Sequence, residues 1–542
     1  MKTTAVIAIL ILYIFISGSG STKENEKHTD SGEGAPAEIY GQMKFDEGRY
    51  GLPVIAEKRS GPEMEKYYFE RWHYPGGAML EQDQLESIWN EIEAMPTEPK
   101  VSEGDVNSWR LWGPFGSDVP TTTGRFSGRV RDIEVGNSAN PIVAAASGGL
   151  WSYVWIIPYC LNEDMSSLAC GSFSTMPGNA STILLGTGEP RRRTGTGLYR
   201  SSNSGSNWTE IGISPEPSAF YKVRYDDNIS NRIHAASTAG YYRSTNNGYN
   251  WTRTLTGEIS DIAVNSVNTN IIYAGKWSDG IYKSTNNGVN WTKQTSQGLP
   301  ASDIGRISLA IGTSNTNKVY AAISKNSDNS MLGVYVSTND GSSWTDVSPP
   351  ENIYGSQGWY NNVVGVCPTN SNIALLGGVR MWRTTNSGTT WTKLVSDNIH
   401  ADQHVVEWTD DGQSVYIGND GGIALSTDQG ATFSNTLNYF PITQYVNFDI
   451  GVSNRGVIYG GSQDNGFTGS TDGGNSWIFT YGGDGGGVAI DPFNSLYIYG
   501  TAGAYNGNWK FRRYKSTDRG LTWDTTTTRV APADTWNTKL RS

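Results

Sequence analysis

The chain has 542 residues, too many for one ordinary hydrophobic core, so several domains or a closed array of repeats is required. Its 65 glycines, 19 tryptophans and 29 tyrosines, with only 17% charged residues, point to β-structure with many tight turns. A formal charge of -11 excludes a surface built to neutralise phosphates, so no nucleic-acid partner is expected.

The first element is an export signal over residues 1–21: Lys2, an apolar run from Ala5 to Ile16, and a small-residue stretch from Ser17 to Ser21. That run is too short to cross a bilayer, and no later segment reads as a membrane span. The mature protein is therefore expected to be secreted, outside the cell or on its surface. Residues 22–60 read as a disordered linker of polar, glycine- and glutamate-rich composition. Within 61–109, Leu85, Ile88, Trp89 and Ile92 recur at the spacing of one helical face, ended by Pro96.

Residues 110–526 are repetitive. The pattern Ser/Thr-x-Asn/Asp-x-Gly-x-x-Trp/Phe begins at Ser201, Ser244, Ser284, Ser337, Thr384, Ser426, Ser470 and Ser516, at intervals of 40 to 53 residues. Around each box the apolar pattern predicts strand, turn, strand, loop, strand, box, strand, one four-stranded antiparallel blade. In the unit that begins at Glu258 the strands fall near 261–264, 271–275, 280–284 and from Trp291. An earlier unit at 128–152 has the first three strands, but an insertion stands where its box should be. About nine blade-like units result, closing as one large ring or as a seven- or eight-bladed ring followed by the start of a second. Residues 527–542 form a short tail, compatible with a longer parent chain.

The box is turn chemistry. Its Asn or Asp accepts from nearby backbone N–H groups, its Gly supplies positive φ and its Trp packs between blades. Repeated copies around a ring cannot share one active site, so the boxes are structural.

The boxes "SSNSGSNW", "STNNGYNW", "STNDGSSW" and "STDGGNSW" resemble the Asp box of bacterial-neuraminidase-repeat propellers, whose members include sialidases, xyloglucanases and sortilin-type receptors. "HADQHVVEW", "GNDGGIALSTDQG" and "GGDGGGVAIDP" more closely resemble exported bacterial repeat proteins labelled glycosyl hydrolases. The resemblance implies an all-β propeller with the box between third and fourth strands. Six unusual segments then fall at the opposite ends of the strands: 186–195, 418–422 and 462–466 between second and third strands, and 355–362, 398–404 and 482–487 between blades. The tetrapeptide signature of sialidases is absent. The acid that the resemblance to xyloglucanases implies for the first blade is replaced by Ala146-Ser147-Gly148-Gly149, while Asp420 in "GNDGGI" matches that local pattern in a later blade.

Asp402, Asp420, Asp464 and Asp484 lie in those loops and are the candidate catalytic carboxyls, since a glycosidase needs one protonated and one ionised group. Glu189, Arg191, Arg192, Trp359, Tyr360, His400, His404 and Gln463 are the candidate substrate-binding residues. His400, Asp402 and His404 alternate in a way that suits metal ligation, but a hydrogen-bonded loop cluster is the favoured reading, and neither a metal nor a cofactor is expected. Cys160 and Cys170 either close a surface loop or remain thiols; Cys367 is expected to be buried and unpaired. The expected partner is an extracellular glycan or polysaccharide, bound and hydrolysed or only bound. The alternative is a non-catalytic scaffold for a surface protein.

Overall fold

The structure is a computed structural model that describes residues 113–119, 124–135, 141–154, 157–295, 297–503 and 512–524. The expected leader, linker, helical face and C-terminal tail lie outside the described residues. Within them, every regular element is a β-strand, in nine sheets.

The unit from Glu258 shows why the meander forms. Its strands are Ile259–Val264, Ile272–Lys276, Gly280–Ser284 and Thr292–Lys293, paired in sequence order. Apolar Ile262, Ile272 and Ala274 are buried, and Asn265 turns the chain by accepting from the amides of Val267 and Asn268 at 3.0 and 2.9 Å. The box closes the third turn. Ser284 Oγ accepts the Gly288 amide at 2.8 Å, and Asn286 Oδ1 accepts the Asn290 amide at 2.9 Å. The same pair of bonds recurs in the other seven boxes, from Ser201 to Ser516. Positive φ is needed twice in succession, at Asn287 (59°) as well as Gly288 (70°). The side chain at that first position also ties blades together: Lys283 donates to Asp340 Oδ2 of the next box at 2.6 Å.

Blade number is settled by the faces between sheets. Val405, Tyr416 and Ile423 of the seventh blade pack with Phe440 and Ile442 on Val130, Ile133, Val143 and Trp151 of the first, which closes a seven-bladed ring. Six further clusters fill the remaining joints, from Leu150 against Phe173 round to Leu375 against Ile417. Each buried large side chain contributes about 1.5–3 kcal/mol to these joints. Polar groups on the innermost strands add a second tie. Asp132 Oδ2 accepts from Ser172 Oγ (2.5 Å) and the Phe173 amide (3.1 Å), and Asp261 Oδ2 accepts from the Leu309 amide at 2.8 Å.

Two more blades follow, joined to each other through Tyr459, Phe467, Val488 and Ile498. The first of them, Tyr445–Ile450, Ile458–Ser462, Gly466–Ser470 and Ile478–Tyr481, is extended at its outer edge by Ser117–Asp118 and Arg125–Phe126. From that edge the chain runs straight into the ring: the Ser127 amide donates to Gly421 O at 2.8 Å, and the innermost strand of the first blade begins at Val130. The first strand of the ring therefore starts against the additional blades, which places Arg129 at the junction between them.

In the first blade the insertion supplies the missing fourth strand, Ile157–Cys160, and continues to the next blade's first strand, Cys170–Met176. Cys160 and Cys170 are free thiols on either side of the Asn162 amide, and Cys367 is a buried free thiol.

Candidate functional site

The six unusual segments take the predicted places between strands, and residues from all six meet at the junction. Each third strand begins at its loop and ends at its box, so the junction and the boxes lie at opposite ends of the same strands.

Arg129 is the centre of the meeting and is 3% exposed. Its Nε lies 3.1 Å from Glu189 Oε1, Nη1 donates to Tyr360 Oη at 2.5 Å, and Nη2 donates to Gln444 Oε1 at 3.1 Å. Asp420 and Asp464 each approach it to 4.0 Å. One guanidinium thus joins acids of the second, seventh and eighth blades. Glu189 is fixed by a tight turn in which the Arg192 and Arg193 amides donate to its carbonyl at 2.9 and 2.8 Å, with Arg191 at φ 61°.

Asp420 is 1% exposed, and its partners determine its charge. Tyr360 Oη donates to both its oxygens at 2.7 Å, and His404 Nε2 lies 2.7 Å from Oδ1. The histidine tautomer follows from Arg131, whose Nη1 stands 2.8 Å from Nδ1 and can only donate. Nδ1 must then accept, so Nε2 carries the proton and donates to Asp420. Burial, then Arg131, keep His404 neutral, lowering its pKa to about 4. Burial works against an ionised Asp420, but Arg129, His404 and Tyr360 outweigh it and hold this carboxyl well below the usual range. Glu189 is likewise held low, by Arg129, Arg192, Arg131 and Arg193 against the cost of burial.

Asp464 behaves in the opposite way. Its side chain is 24% exposed, its backbone is in the left-handed region at φ 61°, and its amide donates to Asp484 Oδ1 at 3.1 Å. Burial, then the charges of Asp420 and Asp484, push its carboxyl well above the usual aspartate range, and Arg129 only partly offsets them. The neighbouring loops are laced to it: His400 Nε2 lies 3.1 Å from Asp464 O, and Asn465 Nδ2 donates to Asp420 O at 2.9 Å. His400 packs edge-on against Phe126, with ring centroids 4.9 Å apart. Asp402 Oδ1 accepts from Asn361 Nδ2 at 2.5 Å.

The remaining candidates are placed as follows. Tyr360 is 3% exposed, with Arg192 4.1 Å from its ring centroid and His404 at its edge, so it holds Asp420 and presents no open face. Trp359 is half-buried beside it. Arg191 lies apart from this group, paired with Glu258 at 2.7 Å and stacked 3.7 Å over Trp277. Gln463 is half-buried and its amide donates to Gln444 O. His400, Asp402 and His404 do not converge: each faces a different partner, and among the described residues no three His, Cys, Asp or Glu side chains are grouped as a metal ion requires. Sequence reasoning missed Arg129, Arg131, Arg306 and Gln444. A signal existed for two of them, since the same Gly-Arg pair stands just before one first strand, at Gly128-Arg129, and near the start of another, at Gly305-Arg306.

No protein-family model and no curated protein matches the chain. Among solved structures it is similar to a GH74 enzyme of Niastella koreensis, at 18% identity over 77% of this chain and 74% of that one, with a TM-score of 0.51. The GH74 xyloglucanase of Xanthomonas campestris matches at 14% identity over 76% and 81%, TM-score 0.51. An ancestral GH74 enzyme matches at 18% identity over 78% of this chain and 64% of that one, TM-score 0.55. At these identities the likeness shows a β-propeller fold. Among the described residues, no helix is long and apolar enough to cross a membrane.

Proposed function

We propose that the chain is exported and hydrolyses an extracellular glycan or polysaccharide at the junction, on the side of the ring remote from the boxes. The observation that carries this reading is the pair Asp420 and Asp464. These are adjacent carboxyls driven to opposite charge states, the buried one ionised and the half-open one neutral. Environments that separate two carboxyls in this way decide which one keeps its proton and can act as the acid.

In this reading Asp464 gives its proton to the glycosidic oxygen as the C–O bond breaks, and Asp484 accepts a proton from the water that attacks the sugar carbon. Asp420 remains an anion under Tyr360 and His404, and its charge keeps Asp464 protonated. Trp359, half-buried beside Tyr360, is the candidate aromatic contact for a sugar. The likeness to GH74 enzymes supports a glycan ligand by analogy of fold only.

The test is release of reducing ends from a panel of plant and bacterial polysaccharides, with wild type and Asp464→Asn. Release by wild type that falls at least ~100-fold in the variant supports the reading, in line with the loss of a general acid. Glycan binding with no release in either protein favours the scaffold alternative, and release that survives the substitution removes Asp464 from the site.

A further inference from the structure

Four of the joints between neighbouring blades are built from the same two half-faces. On the earlier blade, the second-strand residue next to the partner of the first box residue is a tyrosine: Tyr273, Tyr320, Tyr416 or Tyr459. On the later blade a first-strand apolar residue meets it in one buried cluster. The pairs are Tyr273 with Leu309, Tyr320 with Val364, Tyr416 with Ile133 and Tyr459 with Val488. None of these eight side chains is more than 7% exposed.

The eighth and ninth blades leave one half of each kind open. Tyr499 follows Ile498, the partner of the box residue Ser516, so it is the ninth blade's member of the tyrosine set, yet it is 44% exposed. Phe448 is the eighth blade's member of the first-strand set. It follows Asn447, which accepts the Val488 amide of the next blade at 2.8 Å, as Leu309 follows Ser308, which accepts the Val364 amide at 3.2 Å. Leu309 is 1% exposed and Phe448 is 40% exposed. Ile450, two residues on and on the same side of its strand, is 37% exposed.

A polar tie has the same form. Lys283 and Arg383, each one residue before its box, donate to the carbonyl of the fourth residue of the next box, Asp340 O at 2.7 Å and Gln429 O at 2.9 Å. Lys515 holds that place in the ninth blade. Its Nζ is 5.7 Å from the Tyr499 ring centroid, as Lys283 Nζ is 5.3 Å from that of Tyr273. In the eighth blade the fourth box residue is Gly473, where an added Cβ would meet nothing within 4 Å. Its carbonyl can accept such a bond, since the tie uses no side-chain atom on that side.

We infer that the partner of these faces is a second copy of this chain, the ninth blade of one copy packing on the eighth blade of the next as successive blades pack within the chain. The two open halves belong to opposite sides of one kind of joint, so the contact is head to tail and either closes into a ring of copies or leaves one free half at each end. It removes Tyr499, Phe448 and Ile450 from water, where exposed apolar surface is costly. The inference is independent of the glycan reading.

The experiment is sedimentation velocity of the full chain from about 1 to about 100 µM. Wild type should gain mass with concentration. Tyr499→Asp and Phe448→Asp should each weaken self-association at least ~10-fold, with an unchanged melting temperature as the check on folding. Mixing the two variants should restore association, because one supplies an intact Phe448 face and the other an intact Tyr499 face, and the product should stop at two chains. A monomer at every concentration overturns the inference. So does association that survives either substitution, or a mixture that stays monomeric.

Discussion

Asp428 and Asp464 are both turn aspartates two residues before a glycine, one in the box of the seventh blade and one in the loop of the next. Around Asp428 the hydroxyl and amide of Thr432 and the hydroxyl of Ser426 outweigh slight burial and hold the carboxyl at about 2. Asp472, in the following box, is held at about 2 by Ser476 and Ser470. Asp464 accepts no comparable set of bonds, faces Asp420 and Asp484, and is pushed the other way. The boxes thus use their aspartates to close a turn, whereas the junction makes the ionised state of Asp464 costly, so that this carboxyl keeps its proton. A repeat that recurs with the same bonds marks architecture, and the unrepeated ends of the same strands carry the proposed site.

The largest expected effect comes from breaking the junction at its acid. Asp464→Asn should lower turnover ~100-fold or more, while the melting temperature at pH 7 stays the same or rises. The rise follows from linkage. A carboxyl raised in the folded state takes up a proton on folding, so stability falls as pH climbs from the unfolded value through the raised one, and the amide removes that penalty. Wild-type turnover should fall over the same rise in pH, because the acid must be protonated.

A box should fail in the reverse manner. At Gly288, φ is +70° and an added Cβ would come within 2.3 Å of Tyr241 Oη, so Gly288→Ala should cost about 2–3 kcal/mol in urea unfolding. Glycan affinity of the folded fraction should be unchanged. Between the two ends lies Glu407, raised to about 8 by burial first, with Glu134 and Asp132 adding and Arg224 opposing. Stability should therefore fall from about pH 4 to about pH 8, and Glu407→Gln should exceed wild type by ~1–2 kcal/mol at pH 9 and match it at pH 4. The smallest effect is expected from Ser284→Ala, which removes one hydroxyl cap of a box and should cost about 1 kcal/mol by the same unfolding measurement.

Local chemistry was legible in the chain. Eight contiguous residues contain the two side-chain acceptors and the two amides that close a box, so "STNNGVNW" discloses its turn, and strand order then places Asp420 and Asp464 at the far end. Ring closure was not legible, because every blade has the same period whether it closes the ring or begins another. Val405 and Ile423 packing on Val130 and Trp151 decide it. The junction was half legible: its loop acids stand out, but Arg129 sits in a strand that reads as ordinary, 315 residues from its partner Gln444. Tyr360, a candidate sugar contact by sequence, is instead enclosed by Asp420 and Arg192, which only the fold brings to it.

The account depends on the proton of Asp464. Carboxyl 13C chemical shifts followed by NMR against pH, with Asp464→Asn and Asp428→Asn used to assign the two signals, test it directly. Asp464 should titrate well above the ordinary aspartate range while Asp428 titrates near 2. An Asp464 signal that titrates with Asp428, at or below the ordinary range, would contradict the account.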